Sequence, residues 1–490
     1  MTPAATTIED FEVVVGLEVH AQLTTTSKMF CRCSTDYSGG EPNTHVCPVC
    51  MGMPGVLPVI NQSAVEFTVM TGLALNCEIP ARAKFDRKNY PYPDLMKGYQ
   101  ISEYDQPLCI NGYVDVEADG VQRRIRVNRV HLEEDTARLL HRSHGGEDYS
   151  LLDINRAGMP LMEIVTEPDA RSPAEAVAYL MKLRQILRYL GVSHANMEEG
   201  NFRCEPNLSL RPRGATEFGS KVELKNLNSF RAALRGMEFE VRRQGAILIA
   251  GGRVEQETRG WREETGETVS QRSKELAHDY RYFPEPDLPP LALPRERVEE
   301  LRRGLPELPE ARRARLVTAL GLTPYEADLI TESREKADFF EAAVNASGEA
   351  SRAKPIANWF LGDFSRLLNA AGIEPGASKV APVQLAALVA LVDGGKVSGT
   401  AAKQVLDFMF ETGGDPDAIV EERGLGTIQD EGAVMAAVRT VISANEKVIA
   451  EYRSGKTGAI NALVGQVMKE TRGRAAAPRV RELLEKELIT

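Results

Sequence analysis

The chain has 490 residues, 43% of them hydrophobic, and a formal net charge of −11. That length exceeds one typical core and sets an expectation of roughly two to four domains, while the acidic balance excludes a surface coated in basic charge for nucleic acid and leaves local basic patches open. No run of about 18 apolar residues occurs and the start, MTPAATTIEDFE, lacks a signal-peptide apolar region, so a cytosolic, non-membrane protein is expected.

In VVVGLEVHAQL (13–23) polar and apolar residues alternate, placing Glu18, His20 and Gln22 on one strand face and Leu17, Val19 and Ala21 on the other. A carboxylate beside an imidazole suits a cation; a solvated face with one surface histidine accounts for the same pattern. Four of the seven cysteines follow as C-x-C, thirteen residues, then C-P-V-C. Paired turns that aim Cys31, Cys33, Cys47 and Cys50 at one point suit a closed, structural zinc site, against the alternative of unliganded small core residues. Asn61 caps a helix to about Leu75, with Val65, Val69 and Leu73 as its core stripe.

The stretch from 84 to 108 crowds Arg87, Lys88, Tyr90, Tyr92, Lys97, Tyr99 and Tyr104 into eighteen residues of a proline-containing loop. Such interleaving suits phosphates and stacked bases, and equally a half-buried loop packed by tyrosines. Residues 121–132 read as a strand ending in Glu133, Glu134 and Asp135, a cation site or a solvated acidic turn. His141 and His144 fall in a polar loop without an assigned role. A strand over 159–169 closes at Pro168, and Ser172, Pro173 and Glu175 start a helix that runs to Leu190 and stops at Gly191.

From Phe202 to Phe230 the alternation is the most polar in the chain. Arg203, Glu205, Asn207, Ser209 and Arg211 share one face, and after a glycine-containing loop Lys221, Glu223 and Lys225 resume it. The two runs form an antiparallel hairpin, feeding a helix capped by Asn228 or Ser229 with Phe230, Leu234, Met237 and Val241 at helical spacing. Beyond it stand Arg259, Trp261, Arg272 and Lys274, then five prolines within 279–294, which mark a boundary near 295. The expected class is therefore α+β: a sheet domain over 1–295, a helical domain over 296–410 and a small helical tail over 411–490.

The tail carries two apolar stripes, Ala459 to Met468 and Val480 to Leu488, and is mildly basic, with nine Lys/Arg against six Asp/Glu in 441–490. Arg472 and Arg474 around Gly473 suit a phosphate backbone or a solvated loop. Gly455, Lys456 and Thr457 end like a P-loop, but Ala450 stands where its first glycine belongs, so that reading is rejected. G-x-G-x-x-G, H-E-x-x-H and G-x-S-x-G are absent, which leaves the polar sheet as the place for chemistry.

The strings GLEVHAQL, KFDRKNYPYPDLMKGYQISEYDQP, NRAGMPLMEIVTEPD, VELKNLNSFR and DYRYFPEPDLPPL, in this order from about residue 12 onward, resemble the B-subunit family of the tRNA-dependent amidotransferases. The resemblance implies a catalytic cradle related in fold to glutamine synthetase, a helical domain, and a tail that touches tRNA. It implies a glutamine-dependent carbon–nitrogen ligase of protein biosynthesis, using ATP and Mg2+ to phosphorylate the side chain of Glu or Asp misacylated on tRNA(Gln) or tRNA(Asn). Ammonia then displaces the phosphate, supplied by an amidase A subunit in a heterotrimer with a small C subunit. By the same resemblance Glu18, His20, Glu134 and Glu223 are Mg2+ ligands. Lys88, Arg203 and Lys225 hold phosphate or substrate, with Asn207 and Ser209 as further nucleotide-binding groups. The family commonly reads R-C-D-A-N where this chain reads Arg203, Cys204, Glu205, Pro206, Asn207, so Glu205 is left out of the implied ligands. The four-cysteine zinc site belongs to some members, and all four thiols are present here. A tRNA-binding scaffold without catalysis, and a stand-alone metal-dependent phosphotransferase, are the competing readings.

Overall fold

The computed structural model describes residues 7–273, 280–428, 430–454, 456–471 and 473–489. Lys274, Arg472 and Gly455 lie outside the described residues, as does the side chain of Arg272. The chain divides into two compact units, 1–308 and 309–490.

The first unit opens with β1 (Phe11–Gln22), α1 (Gln62–Ala74), β2 (Arg82–Ala83), β3 (Asp86–Asn89), β4 (Tyr99–Ser102), β5 (Cys109–Ala118) and β6 (Val121–Glu134). It continues through β7 (Arg138–His144), β8 (Glu147–Asp153), β9 (Pro160–Thr166), α2 (Pro173–Leu190), β10 (Phe202–Pro212), β11 (Val222–Lys225) and α3 (Phe230–Ile249). It ends with β12 (Glu257–Arg262), β13 (Glu267–Ser273), β14 (Phe283–Pro284), β15 (Leu291–Ala292) and α4 (Arg295–Gly304).

Eight of these strands make one sheet in the order β13-β12-β11-β10-β1-β9-β6-β5. Its described pairings are antiparallel except β11 with β12, where α3 supplies the crossover that a parallel pair requires. The expected hairpin between β10 and β11 is present, with Asn207 opposite Glu223 and Leu208 opposite Val222. Helices start and stop where side chains satisfy the backbone. Asn61 accepts from Ala64 N–H, Ser172 from Glu175 N–H and Ser229 from Ala232 N–H. Gly191 ends α2 at φ 71°, a left-handed conformation that a Cβ would disfavour.

Strand alternation gives the sheet two unlike faces. Leu17, Val19, Ala21, Val130, Leu132, Met162, Ile164, Cys204, Leu208, Val222 and Leu224 join the apolar core, to which α1, α2 and α3 contribute Val69, Leu180, Leu183 and Met237. The intervening residues, among them Glu18, His20, His131, Glu133, Glu163, Arg203, Glu205 and Glu223, occupy the other face.

Two local expectations are corrected. His141 and His144 lie on a two-stranded ribbon, β7 with β8, rather than in a loop. Gly145 and Gly146 turn it at φ 64° and 85°, the paired positive values that a tight hairpin takes. The tyrosine-rich stretch likewise contains β3 and β4, which pair with each other, and β14 adds to β3 through Phe283 opposite Arg87.

The second unit is helical throughout its described residues. One core runs from Leu316 to Leu425, and a separate one gathers Val434, Val438 and Val441 with Ile460, Leu463, Val467, Val480, Leu483, Leu484 and Leu488. Both tail stripes read from the sequence therefore supply buried residues to the same small core.

Glu240 shows how α3 is fixed to the sheet. Its fully buried carboxylate accepts from Gln244 Nε2 at 3.0 Å and from Thr268 Oγ1 of β13 at 3.1 Å, and it pairs with Arg243 and, at 3.7 Å, with Arg259 of β12. Glu240→Ala leaves Arg243 and Arg259 with Glu257 as their remaining acid and removes the acceptor of Gln244 and Thr268, and a loss of about 1–3 kcal/mol is expected in equilibrium unfolding of the purified chain. An unchanged unfolding midpoint would show that the network contributes nothing to stability.

Candidate functional site

The strand register lays a row of ionisable groups straight across four strands. Arg203 of β10 stands opposite His20 of β1, His20 opposite Glu163 of β9, and Glu163 opposite His131 of β6. Glu163 receives both imidazoles: His20 Nε2 and His131 Nε2 each lie 3.2 Å from its carboxylate. Glu133, two residues beyond His131 on the same face, lies 3.6 Å from His20 and 3.8 Å from His131.

Burial alone would neutralise these groups. It acts to raise the Glu163 carboxyl, but His131 and His20 overcome it and hold Glu163 well below the carboxylate range. Burial works against the charge of His131 too, yet Glu163 and Glu133 raise its pKa to about 9. Lys88 follows the same logic: desolvation opposes its charge, and Glu133, Tyr282 and Glu163 raise its pKa above the usual lysine value.

A second group lies beside this row. Glu18, Glu205 and Glu223 bring ligand oxygens within 4.8 Å of one another. Asn207 Nδ2 donates to Glu18 at 3.2 Å, Thr258 Oγ1 to Glu223 at 2.6 Å and Lys225 Nζ to Glu205 at 2.9 Å. Here the balance differs at Glu18. Burial, then the charges of Glu163, Glu205 and Glu223, raise the pKa of Glu18, as expected where several carboxylates converge. Hard oxygens in this arrangement suit Mg2+ or another hard divalent ion.

Arg203 stands opposite His20 of the row and two residues from Glu205 of the trio along β10. One guanidinium nitrogen donates to Asp135 at 2.9 Å, while its Nε is buried with no hydrogen-bond partner. A buried donor left open at the edge of an acidic site fits an incoming anion.

The structure thus gathers Glu18, His20, Glu223, Arg203, Lys225 and Asn207 on one face, and it adds Glu205, which the resemblance leaves out. It does not bring Glu134 to them. Glu134 is on the opposite face of β6 from Glu133, and its carboxylate receives Lys97 and, at 3.1 Å, the Ile101 N–H. Ser209 is buried opposite Val14, further along β10 than the carboxylates. Sequence reading named Glu133 only as part of a candidate acidic cation site and missed His131 and Glu163 as members of the row. The pattern was present: alternation in V-H-L-E-E puts His131 and Glu133 on one face, and Glu163 is the lone acid inside the apolar run MPLMEIV.

The four cysteines bring their sulfurs within 4.8 Å of one another. Cys47 N–H donates to Cys50 Sγ at 3.2 Å, and Lys28 Nζ lies 3.7 Å from that sulfur. A hydrogen bond from Cys31, with the Cys47 N–H and the charge of Lys28, lowers the Cys50 thiol, and the same shared proton raises Cys31. Four converging sulfurs with a thiolate already favoured fit a tetrahedral zinc ion and leave no position for substrate.

Behind the acidic face sits one unused acid. Glu103 is 2% exposed, accepts from the Leu108 and Leu132 N–H groups at 3.1 and 3.2 Å, and has one oxygen without a partner. Burial pushes its pKa up to about 8 from an ordinary 4.5. The folded value is the higher, so its contribution to stability is full below the unfolded value and is lost as pH rises through about 8. His131, raised from 6.5 to about 9, adds a loss over the upper part of that range. Urea unfolding of the purified chain should show stability declining from pH 6.5 to 9, and Glu103→Gln should reduce the decline. An equal decline in the variant would refute the assignment.

Residues 13–299 match the family described as the GatB/GatE catalytic domain, and residues 338–488 match the GatB domain. A relative from Dehalococcoides mccartyi (strain CBDB1), named as the B subunit of aspartyl/glutamyl-tRNA(Asn/Gln) amidotransferase, is 56% identical over 486 residues, covering 98% of this chain and 99% of its own. Proteins of the same name from Thermomicrobium roseum and Moorella thermoacetica are each 55% identical over 479 residues, covering 98% of this chain and 99% and 100% of theirs. With relatives matched along nearly their whole length, the chain belongs to the B-subunit family of the aspartyl/glutamyl-tRNA(Asn/Gln) amidotransferases.

Proposed function

We propose that this chain activates the side-chain carboxylate of Glu or Asp misacylated on tRNA(Gln) or tRNA(Asn), by ATP-dependent phosphorylation, and exposes the resulting acyl phosphate to ammonia. The substrate carboxylate oxygen attacks the γ-phosphorus and ADP leaves; ammonia attacks the acyl carbon and phosphate leaves, giving the amide. The amidase A subunit supplies ammonia, and a small C subunit completes a heterotrimer in the cytosol. The names of the relatives support a role in tRNA-dependent amidation. Among the described residues no helix is long and apolar enough to cross a membrane.

The observation that carries the reading is the pairing, on one sheet face, of a converging carboxylate trio with fixed cations. Two anions must approach in line, so repulsion is the main obstacle. Glu18, Glu205 and Glu223 would hold one Mg2+, and His20 with Glu133 and Glu163 a second. When bound, Mg2+ screens the phosphate charges and orients the transferring group. Arg203, with its open Nε, binds phosphate oxygens, and Lys225 and Lys88 hold further negative charge; Asn207 keeps Glu18 oriented. The sheet, apolar under its helices and ionised on the other side, supports the reading of this unit as a cradle like that of glutamine synthetase.

In the assembled complex, Glu223→Ala should lower amidation of misacylated tRNA and tRNA-stimulated ADP release together by about 100-fold or more, while tRNA affinity is retained. Amidation at the normal rate would move the chemistry to a partner and leave this chain as a tRNA-binding scaffold. For the cysteines, elemental analysis should find about one zinc per chain, and Cys50→Ser should lower both zinc content and the melting temperature. Metal-free protein isolated under reducing conditions would remove the zinc assignment.

A further inference from the structure

Five tyrosines that are scattered in sequence form one continuous file in space. Tyr104 stacks on Tyr282 with centroids 4.2 Å apart and planes 8° apart. Tyr282 meets Tyr280 at 6.0 Å, Tyr280 meets Tyr90 at 5.6 Å, and Tyr90 meets Tyr92 at 6.2 Å. Backbone pairing builds the file: the Asn89 N–H donates to Tyr280 O at 2.9 Å, the Asn89 side chain to Arg281 O at 2.9 Å, and Phe283 pairs with Arg87.

The file is not core. Its end members Tyr104 and Tyr92 are 57% and 46% exposed, and none of the five belongs to the apolar cluster under the sheet. At its centre the Lys88 ammonium lies 4.9 Å from the Tyr280 ring and 5.7 Å from the Tyr90 ring. Lys88 and Tyr282 also feel the charges of Glu133 and Glu163, so the file adjoins the acid–imidazole row.

A file of aromatic rings exposed at both ends and half-buried between them, with a cation at its centre and next to a reaction site, matches the chemistry that holds single-stranded nucleic acid: bases stack on the rings and the cation takes a phosphate. An ATP adenine is the other candidate base, but small-ligand sites enclose most of their ligand, whereas both ends of this file face solvent. We propose that the file is a stacking platform for the unpaired 3′ end of the aminoacylated tRNA, leading the aminoacyl group to the acidic face. The assignment rests on the proposed tRNA-dependent reaction and adds where that substrate is gripped.

The test uses the assembled complex and tRNA carrying 2-aminopurine as its terminal base. Binding to the wild-type complex should quench the fluorophore, and Tyr104→Leu should remove the quenching and raise the KM for misacylated tRNA roughly five- to tenfold without changing the KM for ATP. Tyr104→Phe should restore both, and tRNA trimmed of its unpaired 3′ end should bind the wild-type and Leu complexes equally. A raised KM for ATP with unchanged tRNA behaviour would assign the file to adenine of ATP. No change in either, with the melting temperature intact, would reduce it to packing. Wild-type amidation measured alongside separates failure of the platform from failure of the reaction itself.

Discussion

A carboxylate withdrawn from water stays ionised only if cations stand against it, and Glu163 between His20 and His131 meets that condition at the centre of the sheet. Its surroundings follow from strand pairing alone, since Arg203, His20, Glu163 and His131 occupy matching positions on adjacent strands. Register therefore sets core and chemistry together. A slip of one residue in β1 would turn Val19 outward and His20 into the apolar layer, losing both faces at once.

The row and the neighbouring trio differ in how completely they are balanced. In the row each acid has an imidazole within 4 Å, and the pKa values move toward the charged forms. In the trio, Lys225 pairs with Glu205 and, at 3.7 Å, with Glu223, and Glu18 moves the other way. Positive charge arriving beside Glu18 would favour its ionised form. Both grow from the same alternating strands, but an ion entering the row would have to displace the proton of His20, whereas the trio would offer carboxylate oxygens directly.

Much of this was legible in the chain. Period-two alternation identified the polar faces of β1, β10 and β11, and caps at Asn61, Ser172 and Ser229 located three helices. The spacing of the cysteines pointed to a cluster that the structure gathers. What alternation does not reveal is which strands are neighbours. Glu163 and Glu133 become partners of His20 only because β9 and then β6 follow β1 across the sheet. The same gap explains Glu134: three consecutive acids read alike in one dimension, but the pleat sends Glu133 to the ionised face and Glu134 toward Lys97. The tyrosine file was half visible, since Tyr280 and Tyr282 come from a segment nearly two hundred residues after Tyr90.

The position of β1 in the sheet has a consequence for how the chain is made. Its neighbours are β9 and β10, which end at Thr166 and Pro212, so β1, once synthesised, lacks both partners while well over a hundred residues are added. At about 5–20 residues per second, β10 is completed roughly ten to forty seconds after β1. Throughout that interval VVVGLEV is an unpaired apolar edge, open to pairing with another nascent chain. The cysteine cluster is local by comparison, closing within twenty residues immediately after β1. Metal capture there would give the emerging segment its first fixed structure long before the sheet can protect it.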